Sequence, residues 1–211
     1  MIEIRHPLPH DLPGIYDICL VTGDAGADGS GVYENPDLIG HVYAGPYAVR
    51  HPEFGFVVAD EQGIGGYVLA APDTRAFEAW EEAEWWPALR TQYPLGSAAT
   101  DADNSLVALF HEPERMSDDV LLPYPAHLHI DLHPRLQGRG LGRVLIGKAL
   151  DALREAGVPG LHLAVDPRNS GGLAFYPRVG FTGQERVGDG PIVFTIELAT
   201  ATPDSSGRAG S

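Results

Sequence analysis

His127-Leu-His-Ile-Asp-Leu-His-Pro-Arg-Leu-Gln-Gly-Arg-Gly-Leu-Gly-Arg143 is the stretch that decides the fold. Its start alternates. By a period of two, His127, His129, Asp131 and His133 share one face, and Leu128, Ile130 and Leu132 share the other. This predicts a strand over His127–Leu132. A glycine-rich turn follows. From Gly140 to Ala156, the residues Leu141, Val144, Leu145, Ala149, Ala152 and Leu153 fall on one helical stripe, and Gly157 supplies the stop. Leu161–Val165 reads as a second strand. Strand, glycine turn, helix and strand form a βαβ unit, which requires two parallel strands.

The turn itself, Gln137-Gly-Arg-Gly-Leu-Gly142, points to a ligand. Glycines let the backbone turn tightly and come close to a bound group. A helix start offers free N–H groups and the positive end of the dipole, which together suit a phosphate or pyrophosphate. Arg135, Arg139 and Arg143 add cationic donors on the same rim. Spacing excludes two competitors. The Gly-x-x-x-x-Gly-Lys-Ser/Thr loop is absent, and the dinucleotide pattern starting at Gly138 meets Arg143 at its sixth position. The remaining alternative is a tight connection with no ligand, in which three neighbouring arginines would repel one another.

Working outward, Ile2–Arg5 reads as a strand and Asp11–Leu20 as a helix with Leu12, Ile15 and Cys19 on one face and Tyr16 beside them. Residues 23–31 contain four glycines and read as a loop. Pro36 opens a helix to about Ala44, which Pro46 ends or kinks. Phe54–Ala59 and Gly65–Ala71 read as a hairpin, and Asp73–Trp86 as a helix before Pro87. Tyr93–Asn104 is polar and turn-rich, so it reads as an exposed connection. Ser170–Tyr176 reads as a short helix broken by Pro177. Phe181–Val187 and Ile192–Leu198 read as a closing strand pair. The expectation is one domain over residues 1–199 with a helical insertion at about 73–120, and a disordered tail over 200–211.

The 211 residues include 29 acidic and 14 basic ones, a formal net charge of −15. Such a chain repels nucleic acid and attracts cations, although acidity also serves solubility alone. No apolar run approaches the roughly 18 residues of a membrane span, and no secretory signal opens the chain. The single cysteine, Cys19, excludes an internal disulfide framework and suits a core thiol. A cytoplasmic protein with no membrane partner is expected. His127 and His129 have the His-x-His spacing of a strand metal site, but no third ligand motif supports one, so no metal is expected.

Gln137-x-x-Gly140-x-Gly142 resembles the Gln/Arg-x-x-Gly-x-Gly/Ala signature of GNAT acetyltransferases. Asn169 with Ala174-Phe-Tyr-Pro-Arg-Val-Gly-Phe181 is similar to the family's Asn…Leu-Tyr-x-x-x-Gly-Phe block. Arg5-x-x-x-x-x-Asp11-Leu12 resembles its opening strand and helix. More narrowly, Gly40-His-Val-Tyr-Ala-Gly-Pro-Tyr47 and Ile130-Asp-Leu-His-Pro-Arg135 resemble the acetyltransferase-like C-terminal domain of O-GlcNAc hydrolases. The resemblance implies an α/β GNAT fold. This is a single, mixed, mostly antiparallel sheet flanked by helices, with a parallel strand pair around the cofactor.

It also implies acetyl-CoA as cofactor. The pyrophosphate would lie on Gln137, Gly138, Arg139, Gly140, Leu141, Gly142 and Arg143. The pantetheine arm would pair with Ile130, Leu132 and His133, and Asn169 would approach it from the other side. Tyr176 would sit near the sulfur and protonate the leaving thiolate. A phenol of pKa about 10 stays protonated at neutral pH and can still donate. An alkylammonium must lose a proton before it attacks, and Asp131 is the candidate base, with a carboxylate paired to a neighbouring histidine as the alternative. The implied activity is acetyl transfer to a small-molecule or peptide amine, directly within a ternary complex. The other reading is a non-catalytic acyl-CoA-binding module. Residues 23–31, with Asp24 and Asp28, and Glu34–Tyr47 would cover the acceptor cleft, where loops set substrate choice. Many GNAT relatives pair, so a homodimer stands as an expectation.

Overall fold

The computed structural model describes residues 1–183 and 190–198. In chain order the first half comprises β1 (Glu3–Arg5), α1 (Leu12–Val21), α2 (Leu38–Tyr43), α3 (Gly45–Arg50), β2 (Phe56–Asp60), β3 (Gly63–Ala71), α4 (Thr74–Trp80), α5 (Trp86–Gln92), α6 (Asp101–His111) and α7 (Asp118–Leu121). The second half comprises β4 (Ala126–Leu132), α8 (Leu141–Glu155), β5 (Gly160–Val165), α9 (Ser170–Phe175), β6 (Thr182–Gly183) and β7 (Ile192–Glu197). One seven-stranded sheet runs β1-β2-β3-β4-β5-β7-β6. Its neighbours are antiparallel except for the parallel pair β4–β5, which is the mixed α/β sheet expected from the βαβ unit.

The strand alternation sorts the core into two layers. Val58, Val68, Ala70 and Leu128 face α8 and pack with Leu145, Ile146, Ala149, Leu150 and Leu153. Val57, Tyr67, Leu69 and Ala71 face the other way, onto α1 to α6, with Ile15, Ile18, Phe77, Trp86 and Phe110. Since β3 is buried on both faces, it reads as a continuous apolar run. At the other edge of the core, Arg5 makes a bidentate pair with buried Asp11, at 2.6 and 2.9 Å. This ties β1 to the entry of α1 and gives the spacing Arg5…Asp11 a structural meaning.

Several sequence expectations are corrected. Val144 is 45% exposed, because the buried stripe of α8 runs through 145, 146, 149, 150 and 153 instead. Pro46 does not end a helix but lies in the first turn of α3. Pro87 occupies the same place in α5, after a π-helical turn at Glu81–Trp85. Proline is tolerated there because first-turn N–H groups have no intrahelical partner. The stretch 93–104 is not wholly a connection, since Thr100 caps α6, its hydroxyl accepting from the Asp103 N–H at 3.1 Å. Of the closing pair, β6 is short, and positions 184–187 lie outside the described residues. The expected tail at 200–211 lies outside them too. No described helix is long and apolar enough to cross a membrane.

Candidate functional site

The site forms where two parallel strands part. β4 and β5 pair only at Ala126–Leu161 and His127–His162. Beyond that, β4 stays with β3 through Leu132 while β5 follows β7. In the β3–β4 register, the His133 N–H bonds the Gly65 carbonyl at 3.0 Å. By the antiparallel alternation, the main-chain groups of His127, His129, Asp131 and His133 therefore serve β3. Those of Leu128, Ile130 and Leu132 point into the gap. The gap is edged by main-chain donors and acceptors ready for an extended ligand. The Leu132 carbonyl already accepts from Gln137 Nε2 at 2.9 Å. His133 contributes less, because its N–H is spent on β3 and its ring Nδ1 accepts from the Arg135 N–H.

At the mouth of the gap, Gly138 and Gly140 take positive φ, 70° and 77°. A Cβ on either would meet nothing within 4 Å, so both are glycine for conformation, and the space above them is open. Gly140 is the N-cap of the 15-residue α8 and provides no side-chain cap. The first-turn amides, which include those of Leu141, Gly142 and Arg143, thus lack a side-chain acceptor. Gly142 is close-packed, 3.3 Å from Phe175 to a would-be Cβ, which holds α8 against α9. This cradle fits a diphosphate. Of the three rim arginines, Arg135 is taken by Asp60 and does not serve an anion. Arg143 bonds the Arg178 carbonyl at 3.1 Å, and Arg139 is exposed.

On the far side, Asn169 caps α9, its Oδ1 accepting from the Gly172 N–H at 2.8 Å. Against it lies Gly26 of the glycine loop, and Arg168 bonds Asp24 of the same loop at 2.8 Å. The 23–31 loop is therefore strapped over the β5–α9 side of the gap.

Asp131 and Tyr176 carry the chemical interest. Asp131 is partly buried on β4, and its Oδ2 accepts from the hydroxyl of fully buried Tyr67 at 2.7 Å. Its partner is thus a tyrosine and not a histidine. Burial pushes its carboxyl above the ordinary range, against the lowering pull of Tyr67 and Thr22. The Tyr176 ring packs on Phe181 and Phe194, with centroids 5.6 Å away in each case, and its hydroxyl bonds no described side chain or backbone group. Burial raises its pKa, and the Asp131 charge adds to the rise, so the phenol keeps its proton. Cys19 is buried, and burial raises its pKa too, which fits a core thiol.

A hydrogen-bond network beside Asp131 was not legible in the sequence. The Thr74 hydroxyl donates to the Pro125 carbonyl and meets His127 Nδ1, each at 2.7 Å. His127 Nε2 meets the Tyr47 hydroxyl at 2.7 Å, and His129 Nε2 meets the same hydroxyl at 3.2 Å. Among the described residues, no three His, Cys, Asp or Glu side chains are grouped to hold a metal.

Comparison with known proteins agrees with this geometry. The family model "Acetyltransferase (GNAT) family" matches residues 34–181. A crystal structure of SsHAT is 38% identical, with a TM-score of 0.86, over 94% of this chain and 98% of that one. The protein O-GlcNAcase of Rattus norvegicus is 27% identical over 180 residues, 84% of this chain and 20% of that protein. A mycothiol acetyltransferase of Rhodococcus erythropolis is 31% identical over 182 residues, 86% of this chain and 53% of that protein. The chain thus spans about a fifth and about half of these two relatives. A PaiA N-acetyltransferase from Thermoplasma acidophilum, solved in complex with coenzyme A, shares the fold at 15% identity and a TM-score of 0.58, over 93% of this chain and 99% of that one. With its parted parallel strands and glycine-opened helix, the chain belongs to the GNAT acetyltransferase family.

Proposed function

We propose that this protein transfers the acetyl group of acetyl-CoA to an amine acceptor, by direct attack with both substrates bound. The observation that carries this reading is the gap between β4 and β5, edged by main-chain groups of β4 and ending at the start of α8, which has no side-chain cap. A coenzyme A complex of a GNAT relative with the same fold supports it. In this reading Ile130 and Leu132 hold the pantetheine arm, residues 137–143 hold the diphosphate, and Asn169 closes the other side.

Bound acetyl-CoA supplies the thioester. Asp131 takes one proton from the ammonium, and its raised affinity for a proton suits that task. The amine nitrogen then bonds the acetyl carbon as the C–S bond breaks. Tyr176 gives its hydroxyl proton to the departing sulfur, and the second proton that the nitrogen sheds as the amide forms restores the phenol; a hydroxyl with no partner among the described residues is consistent with that role. Release of free thiol from acetyl-CoA, followed across a panel of small amines, aminosugars and lysine peptides, tests the reading. Amine-dependent release is expected. Coenzyme binding with no release against any amine would leave a binding module in its place.

A further inference from the structure

Tyr67 and Asp131 stand directly opposite each other in the β3–β4 register, so their side chains leave the sheet on one face. Tyr67 is fully buried, and its hydroxyl reaches Asp131 Oδ2 at 2.7 Å. A carboxylate can only accept, so the phenol is the donor. Burial and the Asp131 charge push that phenol well above its ordinary pKa, which keeps the proton on it. Asp131 Oδ1 bonds no described residue, and Asp131 retains part of its surface exposure. One carboxylate oxygen is anchored and the other is not.

Every element packed against Asp131 contributes a neighbour. Cys19 and Thr22 face it from α1, Tyr67 from β3 and Tyr176 from the end of α9, while His129 and His133 share its face of β4. Among the described residues Asp131 has no ion-pair partner. Thr22 adds only a smaller pull, because its one proton is also drawn to the Ile18 carbonyl at 2.8 Å. A carboxylate so placed depends on a donor to stay charged and on a tether to keep its direction. We propose that Tyr67 is a positioning residue, whose hydroxyl holds Asp131 Oδ2 and so leaves Oδ1 to face the acceptor amine. The part played by the amine rests on the transferase reading above, but the tether does not. A hydrogen bond to the charged form favours that form. Loss of the phenol must therefore raise the pH at which Asp131 takes a proton, and must free the carboxyl to turn.

Tyr67→Phe keeps the ring and removes the bond. The full chain, labelled with carbon-13 at the aspartate carboxyls and the tyrosine Cζ atoms, is titrated by NMR, with Asp131→Asn to assign the carboxyl. The Asp131 carboxyl is expected to titrate about one pH unit higher in Tyr67→Phe than in the wild type. In thiol-release assays the acid limb of kcat/KM for the amine should move up by the same amount. The plateau above that limb should fall about tenfold, with coenzyme A affinity unchanged. A tyrosine that only fills the core would move neither the titration nor the limb. In the wild type the Tyr67 Cζ resonance should shift at the midpoint of the Asp131 carboxyl, and this co-titration decides the matter should Tyr67→Phe not fold. An unmoved carboxyl titration, a plateau equal to wild type, or separate midpoints in the wild type overturns the proposal. If the carboxyl shifts as expected but the wild type acetylates no amine, the transferase reading fails and the tether stands.

Discussion

Tyr176 is held by Phe181 and Phe194, while its hydroxyl has no partner among the described residues. Its removal should therefore cost chemistry and not stability. Tyr176→Phe is expected to lower kcat by about a hundredfold while coenzyme A affinity and the melting temperature stay near wild type, as read by steady-state kinetics and calorimetry. Glu81 is a second residue with a defined consequence. Burial in the π-helical turn raises its carboxyl from 4.5 to about 8, and Glu78 adds to the rise. The folded state then holds a proton that the unfolded state has lost, so stability falls as pH rises from 4.5 to about 8. Glu81→Gln should flatten that decline and stabilise the protein near neutrality by on the order of a few kcal/mol, as read by urea melts across pH. Tyr176 and Asp131 were legible in the sequence because each sits in a local pattern. Tyr67, 64 positions from Asp131, and Tyr47, 80 positions from His127, were not, because only the β3–β4 register and the docking of α3 bring them there.

At the scale of the element, the start of α8 is the critical feature. Gly140 lies at φ 77° with open space above it. Gly140→Trp should cost about 1–2 kcal/mol in backbone strain and also fill the phosphate cradle. Calorimetry should show coenzyme A binding lost, and circular dichroism should show the fold retained. The Thr100 cap makes a smaller prediction. Thr100→Ala removes the acceptor for the Asp103 N–H and should cost about 1 kcal/mol, measured by chemical denaturation. The βαβ unit was readable because glycine, alternation and helical period agree across 127–165. Within 73–111 the helix up to Trp86 was readable too, but its continuation past Pro87 and the start of α6 were not. Pro87 looks like a terminator until the π turn places it at a helix start, and the cap at Thr100 is a single residue within a polar stretch. That cap was a usable signal that composition obscured.

The described residues form one sheet with two cores, and its two parallel strands separate beyond His127. The chain's formal charge of −15 repels anions in general, so the proposed coenzyme site would have to draw on local donors, the main-chain amides at the start of α8 with Arg139 and Arg143. The β4–β5 pairing was legible from the order of elements. The strap of Asp24 to Arg168, 144 positions apart, was not, because nothing in either segment names the other. Isothermal titration of acetyl-CoA into the purified full chain tests the gap-and-cradle account most directly. The expected result is one saturable site per chain, lost in Gly140→Trp and little changed in Tyr176→Phe. A wild-type protein that takes up no acetyl-CoA or coenzyme A at millimolar concentration, or a Gly140→Trp variant that binds as well as wild type, contradicts it.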